Sequence, residues 1–214
     1  MSAHPTPADA WTQMARGNER FVRGVPAHPR QDVERRAEIA NQQTPMAALF
    51  GCSDSRLAAE IIFDKGLGDL FVVRNAGQVI SDSVIGSLEY AVAVLEVPLI
   101  VVLRHDACGA VRAAIDSQGP DAPELPAHIG RLVSHIVPAV RAVGATSDDG
   151  TVDLHTIDAD AVGRAHLRDT VAALLTQSEL ISDAVAAGSL AIVGADYHLA
   201  DGRVTPDVAL GDIE

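Results

Sequence analysis

Two kinds of hydrophobic run alternate along the chain. From Pro7 to Val22 apolar residues recur at three and four positions, at Ala10-Trp11, Met14-Ala15 and Phe21-Val22, and this spacing predicts an amphipathic helix. Trp11 and Phe21 ride on that N-terminal arm and need cover, either from the body of their own subunit or from a partner. Gly24 to Pro29 breaks the pattern, and a polar, solvated helix is expected from Gln31 to Gln42. Short apolar runs then take over. Met46 to Phe50, Leu70 to Arg74, Leu99 to Leu103 and Ser189 to Ala195 read as strands of a parallel sheet, and the wholly apolar ones suit burial on both faces.

Between the strands, helices are expected over Leu57–Phe63, from Asp82 or Ser83 to Glu96, and over Gly109–Ser117, His128–Val143 and Asp160–Ala187. Asp201-Gly202, just before Val204, is a hairpin signal. The helix beginning near Asp82 carries Val84, Leu88, Ala91 and Leu95 on one face and Ile85, Tyr90 and Val92 on the other. Its outer side therefore calls for a cover, and a subunit interface is the natural one. Strands alternating with helices define an α/β fold: a mainly parallel four- to five-stranded sheet flanked by helices, with an N-terminal helical arm. One domain, 1–214, is expected, with the arm at 1–44 and the core at 45–214, and no internal repeat.

Composition narrows the function classes. At 214 residues the chain supports a single buried core. A net charge of −13 opposes binding to nucleic acid or to an anionic membrane, and 3% aromatic residues leave few platforms for stacking bases or sugars. No window holds the ~18 uninterrupted apolar residues that a membrane helix needs. The opening Met1-Ser2-Ala3-His4-Pro5 lacks a basic segment followed by an apolar one, so a cytoplasmic protein is expected. In a reducing compartment, two cysteines suggest metal binding or catalysis more than a disulfide.

Both cysteines lie in short stretches that follow apolar strands, Cys52-Ser53-Asp54-Ser55-Arg56 and His105-Asp106-Ala107-Cys108-Gly109. His105-x-x-Cys108 sets two ligands within one turn, and Cys52 arrives from another strand end. Three ligands with a fourth position open is the pattern of catalytic zinc, whereas structural zinc takes four protein ligands. In open α/β sheets, ligands bind beyond the carboxyl ends of strands, where both stretches fall.

These motifs resemble the β-class carbonic anhydrases. The likeness runs from Asn18-Glu19-Arg20-Phe21 through Phe50-Gly51-Cys52-Ser53-Asp54-Ser55-Arg56, Phe71-Val72-Val73-Arg74-Asn75-Ala76-Gly77 and Gly86-Ser87-Leu88-Glu89-Tyr90-Ala91-Val92 to His105-Asp106-Ala107-Cys108-Gly109. It implies one Zn2+ per subunit on Cys52, His105 and Cys108, with Asp54 and Arg56 paired beside the metal. It also implies reversible hydration of carbon dioxide to bicarbonate and a proton by attack of zinc-bound hydroxide. Asp54 would orient the zinc-bound water, or replace it as a fourth ligand in a closed state. Gln43, Phe71, Tyr90 and Gly109 match positions that line the substrate cleft, some of them supplied by the partner of a homo-oligomer, a dimer or a dimer of dimers. Gln43 fits the branch whose site is normally open.

The chain departs from the family at Arg104, where glycine usually precedes the zinc histidine, and Arg104→Gly is expected to raise hydration activity by clearing the cleft. Ala76 should widen the pocket. Asp106 reads as a cap of the following helix, and most of the histidines outside the motifs as surface residues. A lyase acting on carbonyl sulfide or carbon disulfide, a zinc-sensing or inactive relative, and a structural zinc protein are the rival readings.

Overall fold

The computed structural model describes residues 4–122, 124–144 and 157–214; His155 and most of the acidic stretch after Gly144 lie outside them. Four parallel strands, β1 (Ala47–Cys52), β2 (Leu70–Asn75), β3 (Leu99–His105) and β4 (Ala191–Tyr197), and the antiparallel β5 (Val204–Leu210) form one sheet in the order β2-β1-β3-β4-β5. Every residue of β1, β3 and β4 is buried. The α/β class and mainly parallel sheet are those expected.

The helices are α1 (Pro7–Val22), α2 (Val33–Glu38), α3 (Ala59–Ile62), α4 (Asp82–Ala93), α5 (Gly109–Asp116), α6 (Ala127–Ser134), α7 (Val137–Val143), α8 (Ala159–Gln177) and α9 (Glu179–Ala186). Strand alternation divides the core into two layers. On one face Leu99, Val101 and Leu103 of β3 meet residues of α1, α5, α6 and α7, among them Met14, Val111, Val133 and Val140. On the other face Ile100 and Val102 meet Val84 and Leu88 of α4, Leu167 and Val171 of α8, and Ile181 of α9.

The N-terminal arm packs on its own subunit. Asn18, buried on α1, donates to the carbonyls of Ile62 and Gly202 at 3.2 and 2.8 Å and accepts from the Val204 N–H at 2.9 Å. One amide thus ties α1 to α3 and to the β4–β5 hairpin. Gly17 lets the helix approach closely, because a Cβ there would stand 1.8 Å from the Phe63 carbonyl oxygen.

Several boundaries differ from the periodicity, each for a local reason. The stretch 128–143 is two helices, with Pro138 in the first turn of α7, where its missing N–H costs no helical bond. The stretch 160–187 breaks at Ser178, whose extended backbone (φ −130, ψ 106) closes α8 while its Oγ accepts from the Ile181 N–H and so caps α9. The helix expected up to Glu96 stops at Ala93, and its N-cap is Ser81 rather than Asp82 or Ser83. The polar second helix is shorter than expected, capped by Asp32, and buries no residue.

β2 lies on one side of β1 and β3 on the other, so the winding of the sheet reverses between β1 and β3. A crevice opens beyond the carboxyl ends of strands at such a reversal. Cys52 ends β1 and His105 ends β3.

Candidate metal centre

Parallel pairing of β1 with β3, in register Gly51 against Leu103, closes the sequence gap between Cys52 and His105. The chain then turns through Asp106 and Ala107, the latter at φ +49, and delivers Cys108 to the N-cap of α5. One ligand atom from each of Cys52, His105 and Cys108 lies within 4.8 Å of the others, and all three residues are buried. Among the described residues this is the one cluster of metal-ligating side chains so arranged.

Local hydrogen bonds prepare the donors. His105 Nδ1 lies 2.8 Å from the Asp106 carbonyl, a bond that places the proton on Nδ1 and leaves Nε2 with its lone pair free. Nε2 is buried and has no hydrogen-bond partner. An orphaned imidazole nitrogen beside two thiols is the demand a metal satisfies, and two sulfurs with one nitrogen suit zinc. The thiols polarise one another: hydrogen bonding from Cys108 chiefly, with help from the backbone N–H groups of Gly77 and Asp54 and against the opposing effect of burial, holds Cys52 well below the usual thiol range. Cys108 is pushed up, first by that bond to Cys52 and then by burial. The Gly77 N–H donates to Cys52 Sγ at 3.3 Å.

Asp54 and Arg56 form a fork beside this cluster. Arg56 Nε and Nη2 donate to Asp54 Oδ1 and Oδ2 at 2.9 and 2.7 Å, and the Arg56 backbone N–H adds a bond of 3.0 Å to Oδ1. Arg56 also reaches the Ala107 carbonyl at 3.3 Å, joining the two motif loops. Hydrogen bonding to Arg56 holds the Asp54 carboxyl far below the usual carboxylate range. Asp54 Oδ2 stands 3.9 Å from His105 Nε2. Arg74 braces the loop from the adjacent strand, donating to the carbonyls of Cys52 and Asp54 at 2.8 and 2.7 Å.

The remaining predicted residues divide into two places. Gly109 opens α5 next to Cys108, where it lines a cavity of about 330 Å³ with His105, Ala107, Arg112 and Asp160. Gln43 lies before β1, at the opposite end of the strand from Cys52. Phe71 pairs in register with Ala48, four residues short of Cys52, or roughly 13 Å down the strand. Tyr90, in the last turns of α4, has its ring centroid 6.1 Å from that of Phe71 and is 45% exposed. Within one subunit, Gln43, Phe71 and Tyr90 thus belong to the far end of the sheet, away from the cysteines.

Arg104 does not occupy the cleft. Strand alternation turns it away from the face that His105 occupies, and it is 2% exposed. Its Nε lies 2.9 Å from Asp196 Oδ1 on the neighbouring β4, while Nη1 donates to the Asp160 carbonyl at 2.7 Å and Nη2 to Asp160 Oδ1 at 3.1 Å. The pair with Asp196 is close, but its angle is too poor for a hydrogen bond. A Cβ at Gly163 would meet Nη1 at 2.8 Å, so this glycine on α8 leaves the guanidinium its room. Asp106 is not a helix cap either: its Oδ1 accepts from the Leu199 N–H at 3.0 Å, and Cys108 holds the N-cap position. His166, grouped by spacing with the surface histidines, is buried and donates from Nε2 to the Gly77 carbonyl at 2.8 Å. No sequence spacing signals it, because its partner lies 89 residues away.

The family model described as carbonic anhydrase matches residues 47–204. The chain belongs to the carbonic anhydrase family. It is 50% identical over 208 residues to the carbonic anhydrase of Mycolicibacterium smegmatis, covering 97% of this chain and 96% of that protein. It is 48% identical over 207 residues to carbonic anhydrase 2 of Mycobacterium tuberculosis, with 97% and 96% covered. A structure described as one of two tetrameric β-carbonic anhydrases of the ascomycete Sordaria macrospora superposes with a TM-score of 0.69, at 24% identity, covering 82% of this chain and 87% of that one. The fold is that of the β class, and the enzyme is a zinc-dependent lyase. Among the described residues, no helix is long and apolar enough to cross a membrane.

Proposed function

We propose that the protein hydrates carbon dioxide reversibly to bicarbonate and a proton, with zinc on Cys52, His105 and Cys108 and with Asp54 and Arg56 as the working pair. The observation that carries this reading is the buried His105 Nε2, without a partner and facing two sulfurs. Zinc held there would supply Lewis-acid activation of water near neutral pH. Asp54 is kept ionised by Arg56 and can only accept hydrogen bonds, so it takes the proton side of the attacking water and leaves an oxygen lone pair directed at substrate. Arg56 engages both carboxylate oxygens and so restrains Asp54 beside the sulfur–nitrogen cluster, with Oδ2 3.9 Å from His105 Nε2, rather than within it, which suits an open site. The Gly109 backbone, at the start of α5, borders the same cavity and is suited to bicarbonate.

Gln43, Phe71 and Tyr90 complete the cleft of a neighbouring subunit in this reading, since all three lie at the wrong end of the sheet to reach their own Cys52. Tyr90 of α4 and Val94 at its C-cap, 45% and 60% exposed, supply an apolar surface that a homo-oligomer would cover. The purified protein should contain one zinc per subunit and hydrate carbon dioxide in a stopped-flow indicator assay. Chelation should abolish the activity, and added zinc restore it. A zinc-replete protein that turns over carbonyl sulfide but not carbon dioxide would defeat the proposal.

A further inference from the structure

The loop between β2 and α4 passes directly under the metal centre, and its backbone is unusual. Gly77 has φ +77 and Gln78, not a glycine, has φ +41. Gly77 adopts that left-handed conformation freely, but at Gln78 it is costly unless the surroundings hold it. One hold is internal: Asn75 donates from Nδ2 to the Val79 carbonyl at 2.7 Å and accepts from the Val79 N–H at 2.8 Å, bracketing the loop. The other comes from outside, from His166 of α8 to the Gly77 carbonyl.

Gly77 is thereby pinned on both sides. Its N–H points to Cys52 Sγ at 3.3 Å and its C=O receives His166 Nε2–H at 2.8 Å. A side chain at Gly77 is excluded both by φ and by the Ala110 Cβ, 2.8 Å from where its own Cβ would stand. Burial lowers the His166 pKa, which keeps the ring neutral, with the single N–H committed to Gly77.

We infer that His166 is a positioning residue of the metal centre: by holding the Gly77 peptide it keeps the backbone N–H aimed at Cys52 Sγ. The inference rests on the reading of Cys52 as a metal ligand. An N–H bond to a coordinating thiolate withdraws charge from sulfur and fixes its direction, as outer hydrogen bonds do for metal ligands generally. Without His166 the Gly77 peptide, next to the strained Gln78, loses its outer hold and can rotate, and the bond to sulfur is lost.

The test compares the holoenzyme with His166→Leu, which removes the donor, His166→Gln, whose amide reaches about as far as Nε2, and Thr170→Val. Thr170 is buried one turn along the same helix, but its hydroxyl bonds only the His166 carbonyl, so it controls for packing. Zinc release to a chelator and the thiolate-to-metal charge-transfer band of the cobalt(II)-substituted protein are measured beside hydration activity. Loss of such an outer partner weakens a metal site by about 10–100-fold. His166→Leu should therefore release zinc faster by that factor and shift the band, His166→Gln should return both toward wild type, and Thr170→Val should leave both unchanged. If the leucine variant does not fold, His166→Asn serves in its place, its shorter amide falling short of Gly77. Wild-type release and spectrum in the donor-lacking variant would overturn the inference, as would equal changes in Thr170→Val. A wild-type protein that takes up neither zinc nor cobalt would overturn the metal reading as well.

Discussion

Arg104 is a large cation with 2% exposure, one residue from His105, and its partners decide what it does. Paired with Asp196 and Asp160, it holds β3 to β4 and to the first turn of α8. Arg104→Gly therefore removes one half of a buried ion pair and should cost about 3–5 kcal/mol of stability; the ground for expecting a gain in activity, an arginine in the cleft, is absent, because the guanidinium lies on Asp196 and Asp160. The cost should depend on pH in a defined direction. Burial raises the Asp196 pKa and Arg104 opposes that rise, so the variant's carboxyl moves further up. A carboxyl raised in the folded state favours folding while protonated and loses that contribution as pH rises through its folded value. The melting-temperature deficit of the variant should be smallest near the ordinary carboxylate pKa of about 4 and grow toward neutrality; a flat deficit would contradict this. The proposed Asp54–Arg56 pair carries the opposite sign. Asp54 is lowered by Arg56, so the pair persists to strongly acidic pH and contributes no limb near neutrality. Arg56→Ala should reduce hydration by about 10–100-fold and add an acid limb as Asp54 returns toward its ordinary range, visible in the pH profile of kcat/KM.

Among the elements, α1 shows how one polar side chain can place a whole helix. Its apolar stripe requires burial, but the stripe alone would dock on any apolar surface. Asn18 selects the surface, because its amide completes backbone groups of α3 and of the hairpin after β4. Asn18→Ala would leave those groups unpaired in a buried setting, at about 1–3 kcal/mol each where water cannot replace the amide. The variant should unfold at lower denaturant with little change in zinc content, since the bonds of Asn18 go to Ile62, Gly202 and Val204 and to none of the metal ligands. Equal loss of zinc would mean that the arm shapes the site as well. The long helices expected over 128–143 and 160–187 mark the limit of periodicity as a guide. Apolar spacing continues across each break, while Pro138 and the extended Ser178 interrupt the backbone without disturbing that spacing.

For the whole molecule, the sheet separates the residues that the family resemblance assigns to one cleft. Cys52, Asp54, Arg56, His105 and Cys108 gather beyond the carboxyl ends of β1 and β3, while Gln43, Phe71 and Tyr90 lie toward the other end. If two subunits share each cleft, lesions in the two groups should complement. A Cys52→Ala protein mixed with a Gln43→Ala/Tyr90→Ala protein, after dissociation and reassembly, should recover activity above the sum of the parents, because a mixed pair contains one intact cleft. No recovery in verified hybrids would place each cleft within a single chain.

The sequence by itself determined the strand-helix alternation and the chemistry of the trio, because apolar runs and rare residues such as two cysteines are local signals. Cys52-x-Asp54-x-Arg56 was legible for the same reason: the fork between Asp54 and Arg56 spans two residues and needs no distant partner. Tertiary structure alone decided that β1 and β3 are neighbours at the reversal of the sheet, which turns two motifs into one centre. It also decided what burial makes of a polar side chain. Arg104 became a strand tie rather than a cleft residue, and His166 became a brace for Gly77 rather than a surface base, because their partners stand 56 to 92 residues away (Arg104 to Asp160 and Asp196) and 89 residues away (His166 to Gly77). Such pairings depend on which faces the packed elements present to one another, and no periodicity along the chain encodes that.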